Sequence, residues 1–248
     1  MTHKNKKTSF GVFYNKYLSR IAPQYGVIPL ISCFVFNCII YWGTQLIDAN
    51  RTKYDFTNAF DRKVPFVKEW IIIYVVCYLF WAINYILASR EGNEHCFRFV
   101  TADLISRVIC GIFFILIPTT NVRPEVVGTD FFSWLVQLIY FLDKPINLFP
   151  SIHCLVSWNC YMGIKKSKRL PKGYIIFSLI FATLVCVSTQ FTKQHYIIDL
   201  IWGIALSYLC FYISFHTDLY KYVERFFDRI CHRIFESEFY YESKQKNP

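Results

Sequence analysis

The ten cysteines of this 248-residue chain include no C-x-x-C pair, and no His/Cys cluster has the spacing of a zinc site. A dithiol redox motif and a structural zinc module are thereby excluded. No small-residue cleavage site follows the first apolar run. That run is also too long for the core of a signal peptide, so it reads as a membrane span. Neither an internal repeat nor a low-complexity tract is found, which excludes a solenoid or a linker-built array. Charged residues are only 18% of the chain, against 54% hydrophobic and 20% aromatic. In a soluble protein a net charge of +10 would point to nucleic acid. Here the cations cluster between apolar segments, the pattern that orients a chain in a bilayer, and no nucleic-acid partner is expected.

What is present is a set of long apolar stretches. They predict an all-α fold: one polytopic membrane bundle of about six transmembrane helices. The spans run from about Gly26 to Ile47, Trp70 to Ala88, Phe99 to Ile117, Ser151 to just before Lys165, Gly173 to Ser188, and His195 to Phe215. The fourth is shorter than the ~20 residues a helix needs to cross the hydrocarbon core, and is expected to begin deep. Cys33, Cys38, Cys77, Cys110, Cys154, Cys160, Cys186 and Cys210 lie in or beside these runs and read as small apolar residues. The chain divides into a basic amphipathic segment over 1–24, the bundle over 25–216 and a basic amphipathic tail over 217–248. Phe10, Phe13, Tyr14, Tyr17, Leu18 and Ile21 recur at helical spacing in the first. Leu219, Tyr222, Val223, Phe226, Phe227, Ile230 and Ile234 form a stripe in the last. Both read as helices at the membrane surface. Residues beyond Ser237 read as disordered.

Orientation follows from the cations. Lys4, Lys6, Lys7, Lys16 and Arg20, then Lys165, Lys166, Lys168, Arg169 and Lys172, then Lys221, Arg225, Arg229, Arg233, Lys244 and Lys246 fall on one side of a six-span bundle. The positive-inside rule makes that side cytoplasmic and places both termini there. The loops after the first, third and fifth spans then face outward.

Two motifs on that outer side carry the candidate chemistry. In His195-Tyr196-Ile197-Ile198-Asp199 the imidazole and the carboxylate share a helical face. The carboxylate can fix the tautomer, leaving the second nitrogen as a nucleophile. A buried structural pair is the bland alternative. Gly203 lies one turn further along the same face and allows close packing. In Pro150-Ser151-Ile152-His153 the N–H groups of a helix start and the Ser151 hydroxyl can hold phosphate oxygens, with His153 beside them as proton donor. Ser151 as a plain N-cap is the alternative there. Arg123, in an outward loop, can bind phosphate bidentately, and Lys193 is a second cation at the same depth. Each can instead be an interfacial anchor. Asp103 and Arg107, spaced i,i+4 inside the third span, read as a structural pair.

These residues resemble the type 2 phosphatidic acid phosphatase superfamily, whose soluble relatives include the vanadium haloperoxidases. The resemblance runs from about Asp61 to Gly203. It is carried by Pro-Thr-Thr-x-x-Arg-Pro, by Asp143-Lys-Pro-x-Asn-x-x-Pro-Ser-Ile-His153, and by Ser188-Thr-x-Phe-Thr-Lys-Gln-His195-Tyr-x-x-Asp199-x-x-x-Gly203. Asp61-Arg-Lys-Val-Pro65-Phe66 resembles an upstream motif of a membrane branch that includes inositol phosphotransferase and sphingomyelin synthase-like proteins. The resemblance implies that Arg123 and Ser151 bind phosphate, that His153 is the acid, and that His195 is a nucleophile oriented by Asp199. Two family cations are replaced here, by Leu116 and Thr189, and Lys193 or Lys144 are the candidates to stand in for them.

The function this implies is a membrane lipid phosphatase that works without metal or cofactor. It cleaves phosphomonoester or pyrophosphate groups through a phosphohistidine at the outer face of the cell membrane. A lipid phosphotransferase using the same residues is the first alternative. A catalytically weak lipid-binding membrane protein is the second.

Overall fold

The computed structural model describes residues 13–48 and 50–235, apart from the side chain of Asn15. The described residues form helices and turns, with an isolated bridge between Tyr54 and Thr119 and no strand. In chain order the α-helices are α1 (Gln24–Asp48), α2 (Ala59–Lys63), α3 (Ile71–Ser89), α4 (Asn93–Leu116), α5 (Phe131–Leu142), α6 (Ile152–Ile164), α7 (Lys172–Phe191), α8 (Ile197–His216) and α9 (Leu219–Ile234). The five helices α1, α3, α4, α7 and α8 are long and apolar enough to cross a membrane. They coincide with five of the expected spans. The remaining one is α6, whose 13 residues rise only ~20 Å.

This short helix is the hub. It is buried at every position except Trp158 and Tyr161, and α3, α7 and α8 pack around it, while α4 packs against α1 and α8. A helix buried all round needs partners for its polar side chains. Asn159 finds them in Asp103 Oδ1 at 3.2 Å and Ser207 Oγ at 2.6 Å. Asp103 Oδ1 also accepts from Arg107 Nη2 at 2.8 Å and from the Tyr85 hydroxyl at 2.5 Å. The i,i+4 pair is thus a fully buried crosslink between α3, α4, α6 and α8, the structural role its spacing suggested.

The two ends of the bundle differ in chemistry. Arg20, Arg90, Glu91 and Arg169 line one pocket at the end where α3 turns into α4 and α6 into α7. The histidine motifs lie at the other end. There α5, an element absent from the sequence reading, closes over α3. Val136, Leu135 and Ile139 of α5 pack on Ile71, Tyr74 and Val75 of α3. Asp130 caps α5 by accepting from Phe132 and Ser133 N–H, and meets Lys68 at 2.5 Å. The Lys68 ammonium, aided by these hydrogen bonds, holds the Asp130 carboxyl well below the usual carboxylate range.

The amphipathic tail helix forms as expected. Its apolar stripe divides, however: Phe227 and Cys231 pack into the bundle while Tyr222 and Phe226 stay exposed. Near the N-terminus, Tyr14 turns inward, donates to Ala22 O at 2.7 Å and packs on Phe235, whereas Phe13, Tyr17 and Ile21 remain exposed. Phe10 and the residues beyond Ser237 lie outside the described residues. All ten cysteines are free, and all but Cys38 are buried.

Candidate active site

The turn that carries His195 is set by how α7 ends. Lys193 adopts φ +54°, so its N–H reaches Gln190 O and the Gln194 N–H reaches Thr189 O. This is the Schellman pattern, with a lysine in the left-handed position usually given to glycine. It throws His195 back over the start of α8. There His195 Nδ1 stands 3.1 Å from Leu148 O and 3.2 Å from Asp199 Oδ2. Both neighbours are acceptors, so Nδ1 carries the proton and Nε2 keeps its lone pair. The same Asp199 oxygen accepts from Tyr196 N–H at 3.1 Å, reaching back to cap α8. Burial lowers the His195 pKa to about 4, keeping the ring neutral at neutral pH.

His153 is brought close by the packing of α6 on α8. Ser151 N donates to Asp199 O at 3.2 Å, and a Cβ on Gly203 would lie 2.9 Å from Ser151 O. Only glycine lets the two helices meet here. The ring centroids of His153 and His195 are 5.8 Å apart. Ser151 itself is fully buried, and its hydroxyl accepts from Cys154 N–H as the N-cap of α6.

Each nitrogen of His153 faces a phenol. The Tyr74 hydroxyl is 3.4 Å from Nδ1 and donates to Asp143 Oδ2 at 3.1 Å. Tyr41 holds the other oxygen of Asp143. With its proton committed to Asp143, the Tyr74 oxygen is an acceptor, so Nδ1 of neutral His153 is protonated and Nε2 is free. The Tyr78 hydroxyl lies 3.2 Å from that Nε2, and Trp81 covers the ring at 5.4 Å between centroids.

His195 opens onto a cavity of about 300 Å³ lined by Arg62, Asn121, Arg123, Gln190 and Lys193 among others. Arg123 is held rigidly. Its guanidinium donates to Asp143 O and to Gln194 Oε1, and stacks 4.7 Å over Tyr140. Its Nε has no partner. Lys193 Nζ donates to the backbone carbonyls of Asp61 and Val64. Burial lowers its pKa. Asp61 in turn caps both α2, through Asn58 N–H, and α8, through Ile197 N–H at 2.8 Å.

Of the residues expected from sequence, Arg123, Lys193 and His195 line this cavity, while Asp199 and His153 stand directly behind His195. Ser151 and Lys144 do not line it, and Lys144 is exposed. Thr189 is buried and gives its carbonyl to the turn, and Leu116 is two-thirds exposed. Sequence reasoning missed Arg62, Tyr74, Tyr78 and the role of Asp143. The Asp61–Phe66 motif and the Asp143 of the second motif were the available signals. Nothing in the spacing of α3 sets Tyr74 and Tyr78 apart from Tyr85.

The chain matches the family model of the PAP2 superfamily over residues 57–213. It is also similar to an uncharacterized protein of Methanocaldococcus jannaschii, with 25% identity over 209 residues, covering 77% of this chain and 83% of that protein. No solved structure matches significantly. The segment matched by the family model spans more than half of the chain and holds every residue of the cavity and both histidines: the chain belongs to the PAP2 superfamily.

Proposed function

We propose that the protein is a membrane lipid phosphatase working through a phosphohistidine. Membership of the superfamily carries phosphatase-type chemistry. The observation that carries the finer reading is the pairing of two imidazoles with ring centroids 5.8 Å apart, each with Nδ1 facing an acceptor, His195 Nε2 open to the cavity and His153 Nε2 beside the Tyr78 hydroxyl. A phosphoryl group beside His195 is then within reach of both rings.

Arg123, Lys193 and Arg62 neutralise the phosphate oxygens, the electrostatic contribution that dominates phosphoryl transfer. His195 Nε2 attacks phosphorus. The substrate enters as its monoanion and passes its proton to His153 Nε2; the N–P bond then forms as the P–O bond to the lipid alcohol breaks, and His153 delivers that proton to the departing oxygen. Asp199 and Leu148 O stabilise the positive charge on His195. Water then attacks phosphorus, gives its proton to His153 and releases His195. A lipid or inositol hydroxyl in place of that water makes the reaction a phosphotransfer with no change in the protein's part.

The site is assigned to the extracytoplasmic face of the cell membrane, with both termini cytoplasmic. Arg20, Arg90 and Arg169 at the opposite end of the bundle support this. The deciding experiment is a panel of phosphatidate, lysophosphatidate, diacylglycerol pyrophosphate and polyprenyl pyrophosphate, scored for both free phosphate and new lipid. Wild type is expected to release phosphate from at least one, and His195→Ala and His195→Asn from none. Equal inactivity of all three proteins overturns the enzymatic reading, and a labelled product lipid in place of phosphate turns it to phosphotransfer.

A further inference from the structure

A second cavity, of about 410 Å³, lies at the end of the bundle opposite the histidines, where three segments meet. Arg20 comes from the turn before α1, Arg90 from the turn between α3 and α4, and Arg169 from the loop between α6 and α7. Hydrogen bonds weld these segments together. The Tyr14 hydroxyl donates to Ala22 O at 2.7 Å, and that of Tyr25 to Ser89 O at 3.1 Å. Arg169 Nη1 donates to Arg90 O. Ser167 Oγ donates to Glu91 Oε1 at 2.6 Å and accepts from the N–H groups of Arg169 and Leu170. The cavity is therefore preformed, and a ligand has little ordering to impose on it.

Its charge is out of balance. Glu91 is the one carboxylate among the described residues that line it, and its Oε1 is engaged by Ser167. Among the described residues, no ion pair reaches any of the three arginines, and the Arg20 and Arg90 side chains have no hydrogen-bonded partner. Three guanidiniums against one carboxylate leave two positive charges unmatched around one concavity, close to the charge of a phosphate monoester with opposite sign. The residue type is selective as well. Lys16, Lys165, Lys166, Lys168 and Lys172 belong to the same segments, and none of them lines the cavity. Orientation in a bilayer needs only a cation of either kind on the right side. The planar fork of arginine is the one that fits phosphate oxygens bidentately.

We propose that this cavity is a second phosphate-binding site, separate from the histidine site and independent of the phosphohistidine reading. Its ligand is a phosphate monoester group, carried by a lipid of the leaflet facing this end or by a free anion. Ile21, Leu87 and Leu170 give the cavity an apolar side beside the ends of two spanning helices, which favours the lipid.

The Arg20 and Arg90 side chains bond to nothing else in the chain, so Arg20→Gln/Arg90→Gln removes the charge and keeps the fold, which circular dichroism checks. Native mass spectrometry in detergent, with a non-hydrolysable phosphonate analogue of dioleoyl phosphatidate, counts the bound lipid. Wild type is expected to retain one analogue more than this double variant, whether or not the histidine site holds another. Lys166→Gln/Lys168→Gln removes the same charge from exposed positions outside the cavity and is expected to bind as wild type. Equal lipid counts in wild type and Arg20→Gln/Arg90→Gln overturn the site. An equal loss in the lysine double variant also overturns it, reducing the effect to diffuse surface charge. Equilibrium dialysis with labelled inorganic phosphate identifies the carrier. Phosphate retained by wild type and lost in Arg20→Gln/Arg90→Gln assigns the site to a free anion, and retention of the analogue alone assigns it to a lipid.

Discussion

Tyr74 stacks on His153 with ring centroids 4.3 Å apart, and its hydroxyl bridges the imidazole Nδ1 to the carboxylate of Asp143. In the proposed route a phenol thus serves His153 as Asp199 serves His195. Tyr74→Phe keeps the stacking and removes the bridge. It is expected to lower kcat about tenfold, a part of the ~10²–10⁴-fold that general acid catalysis contributes, and to shift the pH limb assigned to His153. An unchanged pH profile in steady-state assays would reduce Tyr74 to a packing residue.

Asp199→Asn preserves size but replaces an acceptor with a group that can donate to Nδ1, so the wrong tautomer of His195 is favoured. By analogy with other oriented-histidine sites, a loss of about 10²–10⁴-fold in kcat is expected. The phosphoenzyme, quenched in alkali and traced with labelled phosphate, should map to His195 in wild type and vanish in His195→Asn. A label on any other residue ends the proposed route.

Burial depresses the His195 pKa, so the ring that the proposed route uses as nucleophile stays deprotonated well into acid. The sign follows directly: a neutral ring is the active form, and activity is lost only as pH falls through the folded value. The acid limb of kcat/KM belonging to His195 is therefore expected toward pH 4, below the ~6.5 of an ordinary histidine. The unfolded chain takes up that proton first, so this residue also lowers stability as pH falls below ~6.5, the loss levelling off below the folded value. A limb that stays at ~6.5 in a pH–rate series rejects the burial argument.

Gly203→Ala drives a methyl group against the carbonyl of Ser151. Overpacking of this kind costs about 1–3 kcal/mol. Since the displaced strand of backbone starts α6, activity should fall further than thermal stability. Circular dichroism beside turnover distinguishes a shifted His153 from global unfolding.

Lys193→Gly keeps the left-handed turn and deletes the cation. Relief at φ +54° offsets the lost bonds to Asp61 and Val64, so stability should change by less than about 1 kcal/mol. Turnover should nonetheless fall about tenfold or more. Full activity in Lys193→Gly would assign the phosphate to Arg123 and Arg62 alone.

The spanning helices and the histidine pair were legible in the sequence because each rests on a local regularity. Long apolar runs give α1, α3, α4, α7 and α8, and the i,i+4 spacing of His195 and Asp199 survives in three dimensions as a 3.2 Å contact. The supporting cast was not legible. Tyr74 and Tyr78 meet His153 across 79 and 75 residues, Tyr74 brings Asp143 with it, and an aromatic in a span looks the same whether it faces lipid or an imidazole. Ser151 is ambiguous in a different way. Its residue type suits both phosphate binding and helix capping, and only packing decides that its hydroxyl faces Cys154 N–H. The amphipathic α5 hid in a connecting segment because its 12 residues are too few to register as a span.

The brevity of α6 has a consequence for which lipids are handled. Its ~20 Å rise falls about 10 Å short of the hydrocarbon thickness of a bilayer. In the proposed orientation the shortfall lies at the outer end, and the histidine it presents is set beneath the plane of the outer head groups. A phosphate must dip below its neighbours to react, which favours compact, bare phosphates and penalises bulky sugar or peptide decorations that would be dragged out of water with it.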